Sequence, residues 1–246
     1  MIPKIIHYCW FGNSPLPESA VMCIDSWRRY MPDYEIRRWD ESNFDIAIIP
    51  YTKEAYEEGK YAFVSDFARF WILYNYGGIY FDTDVEMIRP IYDIVDSGSF
   101  MGCERDSFRL NATMPGVAPG LGMGAHKGHK LLQEFLEMYN DLHFVANGVH
   151  NLKTVDQYTT ELLAKYDLKL TDKVQLVAET NIYPGEYFGP ISVITKRLHI
   201  TDNTRTIHHY AATWQSKSLM STIKKRLREV LPERLLLYIN RIKNNW

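Results

Sequence analysis

Residues 62–84 constrain the fold of this chain more than any other stretch. Phe63, Phe67, Phe70, Trp71 and Tyr74 recur at helical spacing over 62–76, and Gly77-Gly78 supplies a C-terminal stop. Ile79-Tyr80-Phe81 then reads as a buried strand running into Asp82-Thr83-Asp84. In an extended segment alternate side chains point the same way, so both carboxylates can converge on one point. The carboxyl ends of strands are where open α/β sheets hold ligands. Two carboxylates so placed repel unless a cation or protons lie between them, and a hard divalent ion such as Mn²⁺ or Mg²⁺ suits oxygen ligands. Asp66 and Arg69 lie three apart on the preceding apolar helix and so share one face, where a charged pair is expected to meet something specific.

The rest of the chain alternates strands and helices. Lys4 to Trp10 reads as a buried first strand ending at Gly12, a helix follows from Pro17 to near Pro32, and residues 34–39 alternate as a second strand. Helix formers gather over 53–59, a strand is predicted over 100–103, and helices over 130–142 and 155–166. Residues 174–178 and 206–208 are further strand candidates. Four Gly and two Pro within 105–125 predict a loop over a site, and the glycine-rich run 115–128 reads as its acceptor side. It lacks both the Lys-Ser/Thr ending of a P-loop and the strand–helix order of a dinucleotide fingerprint. This order implies an α/β sheet with crossover connections. One domain is expected over 1–216, followed by a tail over 217–246.

The formal net charge of −2 argues against general nucleic-acid binding. It hides an asymmetry: 217–246 carries 8 Lys+Arg against 2 Asp+Glu. Leu219, Ile223, Leu227, Val230 and Leu231 form one helical stripe there, with Lys224, Lys225, Arg226 and Arg228 largely beyond it. Such a helix either lies on an anionic membrane surface or packs on its own domain or a second subunit. Three cysteines without a CxxC spacing suggest neither a disulfide framework nor a zinc site. No signal peptide and no run of about 18 apolar residues is found. The expectation is a cytoplasmic protein, peripheral at the inner face of the plasma membrane under the first of these two readings of the tail.

Ser65-Asp66-x-x-Arg69, followed by Leu73-Tyr74-x-x-Gly77-Gly78-Ile79-Tyr80-x-Asp82-x-Asp84, resembles the DXD-containing sugar-binding region of glycosyltransferase family 32. Ile2-Pro3-Lys4-Ile5-Ile6-His7-x-x-Trp10-Phe11-Gly12 is similar to that family's first strand, and His208-His209-x-x-x-x-Trp214 to its C-terminal segment. The resemblance extends more distantly to the large clostridial glucosylating toxins. It implies a GT-A fold, a Rossmann-like mixed sheet flanked by helices, here with a C-terminal helical tail. It also implies Mn²⁺ or Mg²⁺, a nucleotide-sugar donor with a UDP-sugar favoured over GDP-mannose, and retention of anomeric configuration. By the same resemblance Trp10 stacks on the base, and Asp66 and Arg69 hold ribose and sugar hydroxyls, with Tyr80 beside them on the donor. Asp82 contacts the sugar or the ribose and, through water, the metal. Asp84 binds the metal directly, and Trp214 contacts the β-phosphate or the glycosidic oxygen. His209 is the expected third metal ligand, with His208 the competing choice because adjacent strand residues face opposite sides.

The expected reaction moves a sugar to a glycan or lipid-linked glycan in surface or capsular polysaccharide or lipopolysaccharide synthesis. No side chain stands out as a nucleophile. Glu104 and Asp156 are the candidates, and Asp156 reads as a helix cap. Front-face attack, with the leaving phosphate helping to deprotonate the acceptor, is therefore the expected route. A metal-dependent phosphohydrolase or nucleotidyltransferase, or a non-catalytic carbohydrate-binding module, are the alternatives. The first two would need more clustered metal ligands or a basic triphosphate grip, and the third leaves Asp66, Arg69, Asp82 and Asp84 without a joint purpose.

Overall fold

A computed structural model of the chain describes residues 1–106 and 115–211, together with Pro232 and Leu236. Trp214 and, apart from those two positions, the 217–246 tail lie outside the described residues.

Strand β1 (Ile5–Cys9) sends Ile6 and Tyr8 into one apolar layer and Cys9 into the other, as a period of two requires. Helix α1 (Glu18–Tyr30) begins after Pro17 and buries Ala20, Cys23, Ile24 and Trp27. Strand β2 (Glu35–Trp39) lies parallel to β1. Helix α2 (Pro50–Glu57) has proline at its first position, where a missing N–H costs nothing. Helix α3 (Tyr61–Tyr76) buries Phe63, Phe67, Phe70 and Leu73 and stops at Gly77, whose φ of +67° suits a residue without Cβ. Strand β3 (Gly78–Tyr80) follows directly, then β4 (Val85–Met87), the short helix α4 (Tyr92–Asp96) and β5 (Phe100–Gly102). Strand β6 (Met123–Ala125) and helix α5 (Lys130–Asn140) lead to a hairpin of β7 (Val145–Ala146) and β8 (Val149–His150). Helix α6 (Val155–Ala164), strands β9 (Gln175–Val177) and β10 (Thr180–Tyr183), the one-turn α7 (Gly185–Phe188) and β11 (Thr206–His208) complete the described chain.

Seven strands form one sheet in the order β2-β1-β3-β6-β5-β10-β9. β1 is parallel to β2 and β3, and β5 to β10, while β6 runs antiparallel between β3 and β5. α3 and α5 cover one face, where Phe70 stacks on Phe135 at a centroid distance of 4.2 Å. α1 and α7 contribute Trp27 and Phe188 to the other. Trp27 is fully buried and its indole N–H donates to the Val85 carbonyl at 2.7 Å, which ties α1 to β4. Truncating a ring so placed typically costs about 3–5 kcal/mol. β4 pairs with β11 outside the main sheet. Among the described residues no helix is long and apolar enough to cross a membrane, and all three cysteines are free and buried.

The 105–125 segment is not a plain loop over a site. It ends in β6, a strand in the middle of the sheet. Met123-Gly124-Ala125 is too short and too small to read as a strand, yet its smallness is what the position requires. A methyl at Gly124 would overlap the ring of Phe100.

A buried histidine locks the helix–strand junction. His7 has no solvent exposure; its Nε2 bonds the Gly77 carbonyl at 2.9 Å, and Trp39 Nε1 donates to its Nδ1 at 3.0 Å. That pairing puts the ring's one proton on Nε2. Burial pushes its pKa from 6.5 down to about 4. The unfolded chain therefore takes up a proton between those values that the folded chain refuses. This contribution to stability is intact above pH 6.5 and is lost as the pH falls toward 4, a change of about 3 kcal/mol. Urea unfolding between pH 7 and pH 4.5 should show the loss, and His7→Gln should show a shallower pH dependence over that range. Parallel pH profiles for the two proteins would exclude His7 as the titrating group.

Candidate active site

The site begins where β3 leaves the sheet. The Asp82 N–H donates to Gly120 O at 3.0 Å and the Val85 N–H to Asp82 O at 3.1 Å, so the chain turns between Asp82 and Val85. The two carboxylates converge through this turn rather than through strand alternation. β11 supplies the third group. Its register sets His208 opposite Val85, and His208 Nε2 lies 3.1 Å from Asp84 Oδ1 and 3.9 Å from Asp82 Oδ2. One ligand atom from each of Asp82, Asp84 and His208 can be chosen so that all lie within 4.8 Å of one another.

This corrects the expectation for His209. Its Nε2 bonds Glu86 Oε2 at 2.9 Å, on the far side of β11 from Asp84. Neighbouring residues of one strand face opposite ways, and the pairing of β11 with β4 decides which faces inward. Asp84 is further held by the Ala211 N–H, which donates to Oδ2 at 2.8 Å, and by the His209 N–H on its carbonyl. Burial alone would raise the Asp84 carboxyl; the His208 bond and the Ala211 amide outweigh it and hold the group below the usual carboxylate range. Burial alone would lower His208, but the facing carboxylates lift it above the ordinary imidazole value. His208 Nδ1 is buried without a hydrogen-bond partner, so Nε2 is the nitrogen aimed at the carboxylates. Two carboxylate oxygens and an imidazole fit Mn²⁺ or Mg²⁺.

Arg69 sits behind Asp82. Its Nη2 lies 2.8 Å from Asp66 Oδ1 and 3.4 Å from Asp82 Oδ1, its Nε donates to the Ser65 carbonyl, and its guanidinium covers the Tyr80 ring at 5.0 Å. Tyr80 donates its hydroxyl to Asp82 Oδ1 at 3.0 Å. Asp66 is buried and its pKa is pushed up to about 6, chiefly by burial. It holds Arg69 from behind and does not line the cavity, unlike the donor-hydroxyl role expected for it.

A cavity of about 620 Å³ opens in front of these groups. Asp82, Asp84, His208 and Arg69 line one end, and Trp10, Phe11, Ser14 and Tyr61 also face it. Trp10 is half-buried at the cavity, and its indole N–H donates to Ser14 O at 2.7 Å. Gly120 lies under Asp82, where a methyl would overlap the carboxylate, so this part of the glycine-rich run supports the DXD turn rather than forming an acceptor loop. Thr154, not Asp156, caps α6 through a reciprocal capping box with Gln157. Asp156 instead has its pKa pushed up to about 8 by burial and then by Glu104, whose own carboxyl burial also raises. Two protonation-prone carboxyls therefore stand near the site, and the cap reading of Asp156 concealed one of them.

Calorimetric titration with Mn²⁺ separates the two histidines. His208→Ala should weaken binding by about tenfold or more, and His209→Ala by less than about twofold. Equal losses would remove His208 from the ligand set.

Comparison with known proteins follows the same residues. The family described as "Glycosyltransferase sugar-binding region containing DXD motif" matches residues 17–101. Inositol phosphoceramide mannosyltransferase 3 of Schizosaccharomyces pombe is 34% identical over 163 residues, covering 65% of this chain and 42% of the relative. Inositol phosphoceramide mannosyltransferase 1 of the same organism is 30% identical over 111 residues, covering 41% of this chain and 33% of the relative. The chain thus spans less than half the length of these curated relatives. A glycosyltransferase involved in the glycosylation of the major capsid of PBCV-1 shares the fold at a TM-score of 0.51 and 11% identity, over 93% of this chain and 100% of that one. The mixed sheet, mostly parallel and flanked by helices, is the GT-A arrangement. Residues 17–101, with Asp82 and Asp84 inside them, are thus similar to the glycosyltransferase sugar-binding regions that contain a DXD motif.

Proposed function

We propose that the protein transfers a hexose from a nucleoside-diphosphate sugar to a hydroxyl of a glycan or glycolipid. The observation that carries this is the convergence of Asp82, Asp84 and His208 at one end of a cavity that also has aromatic walls. A nucleotide sugar needs both: an aromatic surface for its base and a cationic anchor for its diphosphate. Asp82, Asp84 and His208 would hold a divalent ion, which neutralises charge on the departing diphosphate when bound. Arg69, fixed by Asp66, presents a permanent positive charge beside Asp82 and adds to that stabilisation.

In the reaction the bond from the anomeric carbon to the diphosphate oxygen breaks, and a bond to the acceptor oxygen forms. The acceptor proton passes to the departing diphosphate, so the sugar keeps its configuration without an enzymic nucleophile. The raised pKa of Asp156 supports this route, because a carboxyl whose pKa stands at about 8 is mostly protonated, and so a poor nucleophile, at neutral pH. The mannosyl activity named for both fission-yeast relatives supports GDP-mannose as donor over the UDP-sugar expected from the sequence. Their inositol phosphoceramide substrate supports an acceptor carried on a lipid. A basic 217–246 tail resting on an anionic membrane surface at the cytoplasmic face would bring the site to such an acceptor.

Mass spectrometry of reactions containing GDP-mannose or a UDP-sugar panel, Mn²⁺ and glycolipid acceptors tests the proposal. Mannose addition is expected, and Asp84→Asn should reduce it by about 100-fold or more without changing the melting temperature appreciably. Donor hydrolysis with no transfer to any acceptor would favour the phosphohydrolase alternative. Undiminished transfer by the variant would remove the DXD assignment.

A further inference from the structure

The cavity's donor end is built by one helix face. Tyr61, Ser65 and Arg69 follow one another at four-residue steps along α3, and all three line the cavity. Eight residues of helix span about 12 Å, so Tyr61 lies about that far along α3 from Arg69. The remote wall is fixed before any ligand arrives. Gly12 adopts φ +94° and presents a bare Cα to Tyr61; a methyl there would overlap the ring. The Gly12 N–H donates to Glu41 Oε1 at 2.5 Å, and Tyr56 bonds the same carboxylate. Tyr56 also packs against Tyr61 at a centroid distance of 5.2 Å. Tyr61 is thus wedged between Gly12 and Tyr56, yet it remains 36% exposed and lines the cavity.

We propose that Tyr61, seated on the bare Cα of Gly12, is the second aromatic wall of the nucleobase subsite and decides which base enters. The inference rests on the nucleotide-sugar reading of the cavity and adds its specificity-determining residue. Trp10 is fixed by its bond to Ser14, and Tyr61 by Gly12 and Tyr56, so neither wall rearranges to suit a base. A subsite with preset walls discriminates by size, because a base that does not fit finds no wall to move. The diphosphate end makes no such distinction, since every nucleoside diphosphate offers it the same phosphates.

The test is calorimetric binding of UDP, GDP and inorganic pyrophosphate in the presence of Mn²⁺. The wild-type protein should prefer one base over the other by about tenfold or more. Tyr61→Ala should bring that ratio within about threefold of unity while leaving pyrophosphate affinity within about twofold. Gly12→Ala, which displaces the ring, should do the same. Its positive φ makes it the variant that can fail to fold, and Tyr61→Ala, at a partly exposed position, then carries the test alone. An unchanged base ratio in Tyr61→Ala, or no base preference in the wild type, overturns the proposal. Wild-type protein that binds neither nucleotide overturns the parent reading and this one with it. Nucleotide binding with an unaltered ratio overturns this one only.

Discussion

A guanidinium keeps its proton under all ordinary conditions, so a buried one dictates what surrounds it. Arg69 is 4% exposed. Asp66 lies one turn before it on the same helix, Asp82 stands at the end of the adjoining strand, and Tyr80 puts its ring under the charge. Asp82 is in turn held by the Tyr80 hydroxyl and by its own amide on Gly120. Removing either carboxylate would leave a buried charge only partly matched, which is far more costly than losing a surface pair. The charge therefore fixes the docking of α3, the end of β3 and the turn around Gly120 at once. The His7 lock on Gly77 acts at the other end of β3 and sets where that strand begins.

The two ends of the cavity follow from this arrangement. α3 offers polar, charge-bearing residues where it meets the sheet and an aromatic residue at its start, and the chain after β1 curls over that start. Trp27 performs the corresponding service for the segment after Asp84, since its bond to Val85 keeps β4 close enough for β11 to pair with it. The aromatic richness of the chain is thus divided. Most of its rings fill the two layers about the sheet, while Trp10 and Tyr61 stay at the cavity because the Trp10–Ser14 bond and the Gly12 cleft hold them there.

Much of this was legible in the sequence, and the misses have physical causes. Helical periodicity, the Gly77-Gly78 stop and the apolar strand located Asp82 and Asp84 correctly, because each signal is local. β6 was hidden because glycine is a poor strand former, and only the proximity of Phe100 explains its choice. His208 and His209 could not be separated because the answer lies in the register of β11 against β4, a pairing between residues more than a hundred positions apart. Asp156 carries a residue type that caps helices, and Thr154 two positions earlier took that role. Asp66 and Arg69 were recognised as a pair, but that Asp66 is buried behind Arg69 while Arg69 lines the cavity is a property of the packed layer. The Tyr61–Ser65–Arg69 face was present as a spacing, but it acquires meaning only beside Gly12.

The union of β4 with β11 also has a kinetic consequence. Asp84 and the Ala211 amide that holds it are 127 positions apart, and His208 comes from the last strand of the described core. Closing so long a loop is entropically slow, and its contacts reward the chain only after the intervening sheet exists. The three convergent side chains can therefore meet only once β11 has paired with β4. Without that pairing Asp82 and Asp84 lack the imidazole, and a cation would meet two carboxylates in place of three ligand groups. A divalent cation held by the completed triad would stabilise the closed chain over the open one by mass action.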